Sequence, residues 1–114
     1  MDTVPIDTKQ GGAMQWHARK LLTVIAEAAL ERKLIEASLA LGIGGYTISE
    51  VRGGGAHGVR AGEWEGERSI EFKVLCDADA ADRLAGAIME RYSRHFALVL
   101  YTTDVGVLRS EKFS

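Results

Sequence analysis

Between residues 20 and 103 the chain alternates short β-prone apolar runs with two longer stretches of helical spacing. Residues 21–26, Leu-Leu-Thr-Val-Ile-Ala, are nearly all apolar, the pattern of a strand covered on both faces. Leu30, Leu34, Ala37 and Leu41 then recur at helical spacing opposite Glu31, Arg32, Lys33 and Glu36, and Gly42 stands where a left-handed helix stop is wanted. Residues 46–51 are β-prone again. Ile70, Phe72 and Val74 alternate with Glu71 and Lys73, so two strands flank a long glycine-bearing loop. Asp77 offers an N-cap to a second helix, whose stripe of Ala81, Leu84, Ile88, Met89, Tyr92 and Phe96 predicts about five turns. Residues 97–103 return to strand, and Val107-Leu108 predict a short separate edge piece.

The order β-α-β-β-α-β predicts an α+β domain, a ferredoxin-like sandwich with two helices on one face of a four-stranded antiparallel sheet. Both side-chain registers of the first and last strands are apolar: Leu21 and Ile25 against Leu22 and Val24, and Leu98 and Leu100 against Val99 and Tyr101. The sheet face opposite the helices therefore needs a cover, and a closed homo-oligomer is the simplest one.

Composition narrows the class. The 114 residues are 46% hydrophobic and 26% charged, an ordinary globular balance for one domain, and the net charge of -2 provides no global field to attract nucleic acid or an anionic membrane. Residues 1–18 contain the single proline, Pro5, and lack periodicity, so they are expected to be a flexible leader to a domain at 19–114. Cys76 is the only cysteine, which excludes an internal disulfide. No run approaches the roughly 18 apolar residues of a membrane span, and the first residues do not read as a secretion signal. The expected location is the cytoplasm.

The chemistry concentrates in the loop. Gly53, Gly54 and Gly55 can present bare amides to an anion, or they can simply be a hinge, and spacing alone leaves both readings open. Arg60 adds a guanidinium suited to a phosphate or carboxylate. His57 reads as either a phosphate donor or a spectator. Trp64 among Glu63, Glu65 and Glu67 is either part of a solvated face or an anchor for a partner. His17, His57 and His95 lack partners at ligand spacing, so no metal is expected, and Cys76 reads as a small buried hydrophobe. Paired carboxylates, a serine elbow and a Walker sequence are absent, which points to a binder rather than an enzyme.

The stretch Gly45-Tyr46-Thr47-Ile48-Ser49-Glu50-Val51 followed by Gly53-x-Gly55 resembles the second strand and T-loop start of the PII signalling family, and the resemblance extends over roughly residues 20–113. Gly53 to Arg60, with its glycine-rich start and its Val59-Arg60 end, is similar to the loop pattern of the bicarbonate-linked, carboxysome-associated PII-like branch. The resemblance implies a PII-like homotrimer that binds adenine nucleotides in clefts between subunits. It implies Ile25 and Thr47 against the adenine, and Gly53, Gly54, Gly55, Ala56 and His57 around the ribose and phosphates. Arg60 and Lys112 would engage phosphate, Arg109 would lie near the same C-terminal basic positions, and Gly55 with Arg60 would hold bicarbonate.

Departures from the family are equally specific. Where nitrogen-regulatory relatives carry a Gly-Asp-Gly-Lys stretch, Tyr92-Ser93-Arg94-His95-Phe96 runs almost directly into the last strand, so ADP or AMP, or cyclic AMP, is expected over ATP. The 52–68 loop contains no tyrosine to modify, and no cysteine-bearing tail follows Phe113-Ser114. The implied function is a cytoplasmic sensor whose T-loop orders on ligand binding and signals to a bicarbonate transporter or a carboxysome component. The alternatives are a trimeric metal-binding protein of the ion-tolerance type, an RNA binder using Arg52-Gly53-Gly54, and a weak nucleotide hydrolase.

Overall fold

The structure is a computed structural model and describes residues 14–55, 58–59 and 68–109. Strand β1 spans His17–Glu27 and a single 3-10 turn, Ala28–Leu30, leads into α1, Glu31–Ala40. β2 is Thr47–Val51, a small ribbon is formed by β3, Gly54–Gly55, and β4, Gly58–Val59, and β5 is Ser69–Cys76. α2 spans Ala78–Tyr92 and β6 spans Val99–Val107. The main sheet has the order β2-β5-β1-β6 with all neighbours antiparallel, which is the expected ferredoxin-like arrangement.

Local chemistry sets the helix ends. The Asp77 side chain accepts a hydrogen bond from the Ala80 N–H at 2.8 Å, capping the first turn of α2. Gly42 has φ +82° just past α1, and the N–H groups of Leu41 and Ile43 donate to the Ser38 carbonyl, so the last turn closes where the sequence predicts it. The Ser38 hydroxyl donates to the Ile35 carbonyl at 2.9 Å, which lets this polar residue be buried.

The core lies between the helices and one sheet face. Leu22, Val24 and Ala26 of β1 and Ile70, Phe72, Val74 and Cys76 of β5 are buried against Leu30, Leu34, Ala37, Ala81, Leu84 and Ile88. Tyr46 stacks near Phe72, ring centroids 5.8 Å apart, and fixes the entry to β2.

Three expectations need correction. α2 ends at Tyr92, so Phe96 lies in the following turn; its ring still meets Tyr92 edge-on at 6.1 Å, which explains why it continues the apolar spacing. Met89 is 45% exposed and lies outside the buried stripe, because Ala81, Leu84 and Ile88 already fill the sheet-facing side. β6 is one continuous strand to Val107, without a separate edge piece, because its partner β1 begins at His17 and pairs residue for residue from His17↔Val107 to Ile25↔Val99. For the same reason the sheet takes in His17 and Ala18, the last two residues of the expected leader.

Two substitutions test these local terms by thermal or denaturant unfolding. No atom lies within 4 Å of a Cβ placed at Gly42, so Gly42→Ala acts through its positive φ alone and should lower stability by about 1 kcal/mol. Asp77→Ala removes a cap and should also cost about 1 kcal/mol.

Candidate functional site

The face away from the helices is set by strand alternation. Leu21, Thr23 and Ile25 of β1 align with Thr103, Tyr101 and Val99 of β6 on one side and with Leu75, Lys73 and Glu71 of β5 on the other. Lys73 and Glu71 in turn face Thr47 and Ser49 of β2. This open face is therefore divided. Its β1–β6 half carries Leu21, Ile25, Val99, Tyr101 and Val105, with Val99 43% and Tyr101 46% exposed. The middle of its β5–β2 half is polar: Glu71, Lys73, Thr47 and Ser49, with Leu75 and Val51 at the two ends.

The long loop leaves the sheet at the row Val51, Ser69, Glu27. Arg68 and Glu50 form an exposed ion pair of 3.2 Å there, and the Ala28 N–H donates to the Arg68 carbonyl at 2.7 Å, which ties the loop's return to the start of the 3-10 turn. Beyond Val51 the chain passes through Arg52 and Gly53, both exposed, into the β3–β4 ribbon, where Gly54 pairs with Val59 and Gly55 with Gly58. Gly53 has no positive φ, and among the described residues no atom lies within 4 Å of a Cβ placed on it, so none of them requires glycine at this position.

Of the expected contact residues, Ile25 is half-buried and Thr47 exposed, both on the open face, on strands separated by β5. Gly53, Gly54 and Gly55 follow at the loop base. Ala56, His57, Arg60 and Lys112 lie outside the described residues, as does the Trp64 region. Arg109 is exposed two residues past Val107, which pairs with His17 at the far end of β1 from Glu27. Ten residues of extended strand span roughly 30 Å, so Arg109 lies a sheet length from its own loop base. A neighbouring copy is the route by which it could approach one.

Sequence reasoning passed over Glu71 and Lys73, which lie between Ile25 and Thr47 with Lys73 Nζ 3.4 Å from Glu71 Oε1. The available signal was that these are the two charges on a strand whose other alternate residues are all buried in the core. Near them, the Thr23 hydroxyl is buried and has no hydrogen-bond partner among the described residues. At the strand's end Cys76 is fully buried as expected, and desolvation, reinforced by the adjacent Asp77 carboxylate, raises its thiol pKa above the ordinary value. Among the described residues there is no cluster of three or more metal-ligating side chains, and no helix is long and apolar enough to cross a membrane.

A split-βαβ sheet with a divided open face and a glycine-bearing loop at one end is a domain of the ferredoxin-like class. Residues 19–112 match the family described as Nitrogen regulatory protein P-II, so the chain belongs to the PII family, whose members are regulatory signalling proteins. The fold is similar to a protein described as PII-like and signalling from Thermus thermophilus, with 37% identity, 89% of this chain and 100% of that one covered, and a TM-score of 0.74. It is also similar to CPII, a nitrogen regulatory PII-like protein from Thiomonas intermedia. The CPII structure bound to ADP, AMP and bicarbonate has 23% identity, covers 89% of this chain and 98% of that one, and has a TM-score of 0.78. CPII bound to ADP and bicarbonate has 23% identity, covers 90% and 100%, and has a TM-score of 0.78. No curated protein matches the chain.

Cys76 supplies a pH test. Its folded thiol holds a proton that the unfolded thiol releases as pH rises through about 8.5, so its contribution lowers folding stability above that pH and is nil below it. Denaturant midpoints across that range should fall less in Cys76→Ala than in the parent chain. A thiol reagent at neutral pH should leave the native protein unlabelled and label it in denaturant.

Proposed function

We propose that this chain is a PII-like sensor that binds ADP or AMP, together with bicarbonate, in clefts between the subunits of a homotrimer, and that ligand binding orders the 52–68 loop for a partner in inorganic-carbon metabolism. The observation that carries the reading is Gly53. Among the described residues neither its backbone angle nor a close contact calls for glycine there, which leaves its bare backbone open to close approach by a ligand at the loop base. Three further points support it. The chain is a PII family member, the similar CPII is seen with ADP, AMP and bicarbonate, and the β1–β6 half of the open face is apolar and uncovered.

In this reading three copies bury Leu21, Ile25, Val99 and Tyr101 around a common axis, and each loop base meets the C-terminal basic segment of a neighbour. Ile25 and Thr47 contact the adenine. The amides of Gly53, Gly54, Gly55, Ala56 and His57 surround the ribose and phosphates, and Arg60 and the neighbour's Lys112 engage phosphate. Gly55 and Arg60 hold bicarbonate. The anion completes the charge balance that a nucleotide with few phosphates leaves open, so the two ligands favour one ordered loop, with coupling of about 1–3 kcal/mol. No observation favours the metal-binding, RNA-binding or hydrolase alternatives.

Calorimetry of ADP with and without bicarbonate tests the coupling: bicarbonate should tighten ADP binding about fivefold or more, and identical affinities would refute it. Gly53→Ala should unfold within about 0.5 kcal/mol of the parent yet bind ADP more weakly, and unchanged ADP affinity would refute a close approach at Gly53. Light scattering should give the mass of a trimer for the parent chain and of a monomer for Tyr101→Lys. A monomeric parent would sink the intersubunit site.

A further inference from the structure

Strand β1 outruns its neighbour β5. It pairs with β6 from His17 onward but with β5 only from Lys20, opposite Cys76, after which Asp77 turns the chain into α2. Among the described residues, the lane beside residues 14–18 on the β5 side holds no strand. In the β1–β5 register the Ala28 N–H bonds to the Arg68 carbonyl, and hydrogen-bonding direction alternates along a strand, so Ala28, Ala26, Val24, Leu22 and Lys20 all turn their backbone groups toward β5. Ala18 is next in that series. Its carbonyl, pointing into the open lane, accepts from the Arg19 guanidinium at 2.7 Å.

The lane is also bordered by apolar surface. Trp16 lies over Gly106, where a Cβ would come within 3.3 Å of the Trp16 Cβ, so the bare glycine gives this side chain its seat on β6. Trp16 is nevertheless 63% exposed, and Met14, two residues before it, and Leu108, two residues past Gly106, are exposed as well. An open strand edge beside an exposed indole is a pairing site for other chains unless something covers it.

We propose that residues 5–9 of the same chain, Pro5-Ile6-Asp7-Thr8-Lys9, fill this lane as an added antiparallel strand, reversing through Gln10-Gly11-Gly12-Ala13. The punctuation of the segment fits the lane. A four-residue turn sets Lys9 opposite Met14, Asp7 opposite Trp16 and Pro5 opposite Ala18. Val4 would then meet Asp77, where the lane closes, so Pro5 is the last residue with room. A hydrogen-bonded antiparallel pair exchanges two bonds, and proline supplies only one of them, from the Ala18 N–H to its own carbonyl. The bond it cannot donate is the one that Arg19 already makes to the Ala18 carbonyl. Pro5 and Lys9 flank Asp7 on the face of Trp16, and the proline ring and the lysine stem cover the indole diagonally. Ile6 joins the opposite face beside His17 and Val107, lengthening its apolar half.

Hydrogen exchange on the full chain, read residue by residue by NMR, tests this. The amides of Asp7, Lys9 and Ala18 should exchange about tenfold or more slowly than in an unstructured chain, while those of Ile6 and Thr8, which face away from β1, should exchange freely. Such an alternation marks a strand, because collapse without pairing slows both sets alike. In a Trp64→Phe background, Asp7→Pro removes a donor from the middle of the strand, so Ala18 should lose its protection and acrylamide should quench Trp16 more strongly. Free exchange at Asp7 and Lys9 overturns the proposal, and slow exchange of Ala18 alongside it assigns the lane to another chain. Equal protection of Ile6, Asp7, Thr8 and Lys9 overturns it too.

Discussion

Everything in this molecule follows from helices covering one face of a four-stranded sheet. Because side chains alternate, Leu22, Val24, Ala26, Ile70, Phe72 and Val74 all point to the helices, and every residue between them is sent to the other face. Among the described residues no third layer covers that face. Its apolar half is left open, and its polar half lies beside the loop base. The core, the proposed interface and the proposed binding surface are thus three consequences of one alternation, and a register slip of one residue would exchange them.

In the proposed reading, the same geometry makes one copy an incomplete site. β1 and β6 are long and pair along their whole shared length, which carries Arg109 to the end of the sheet opposite the loop base. A site that uses both the loop base and Arg109 therefore joins two copies. In such a design, oligomerisation and ligand recognition draw on the same residues, and Ile25 lies at the boundary between the apolar interface and the charged patch.

The parts of the fold set by local chemistry were legible in the sequence. Asp77 and Gly42 mark helix ends because capping and positive φ depend on a few adjacent residues, and Cys76 was read as a buried hydrophobe from its place at a strand end without a His or Asn partner in sequence. Errors arose where a distant partner decides. The end of β6 depends on where β1 begins, 90 residues earlier in the chain, so Val107 could not be joined to its strand from sequence alone. Phe96 and Met89 continue an apolar spacing, yet only packing shows that one lies in a turn against Tyr92 and the other faces outward. Of the candidate site, Gly53, Thr47 and Ile25 were picked out individually, whereas Glu71 and Lys73 were passed over as the solvated side of a strand.

By itself the sequence determined the order of elements, the helix termini, the two-sided apolarity of the outer strands and the concentration of glycine and charge in one loop, because each is written in neighbouring residues. Only the tertiary structure decided that Ile25, Glu71, Lys73 and Thr47 form one patch and that Arg109 is remote from its own loop. Strand register brings together residues far apart in the chain, and no local pattern encodes it.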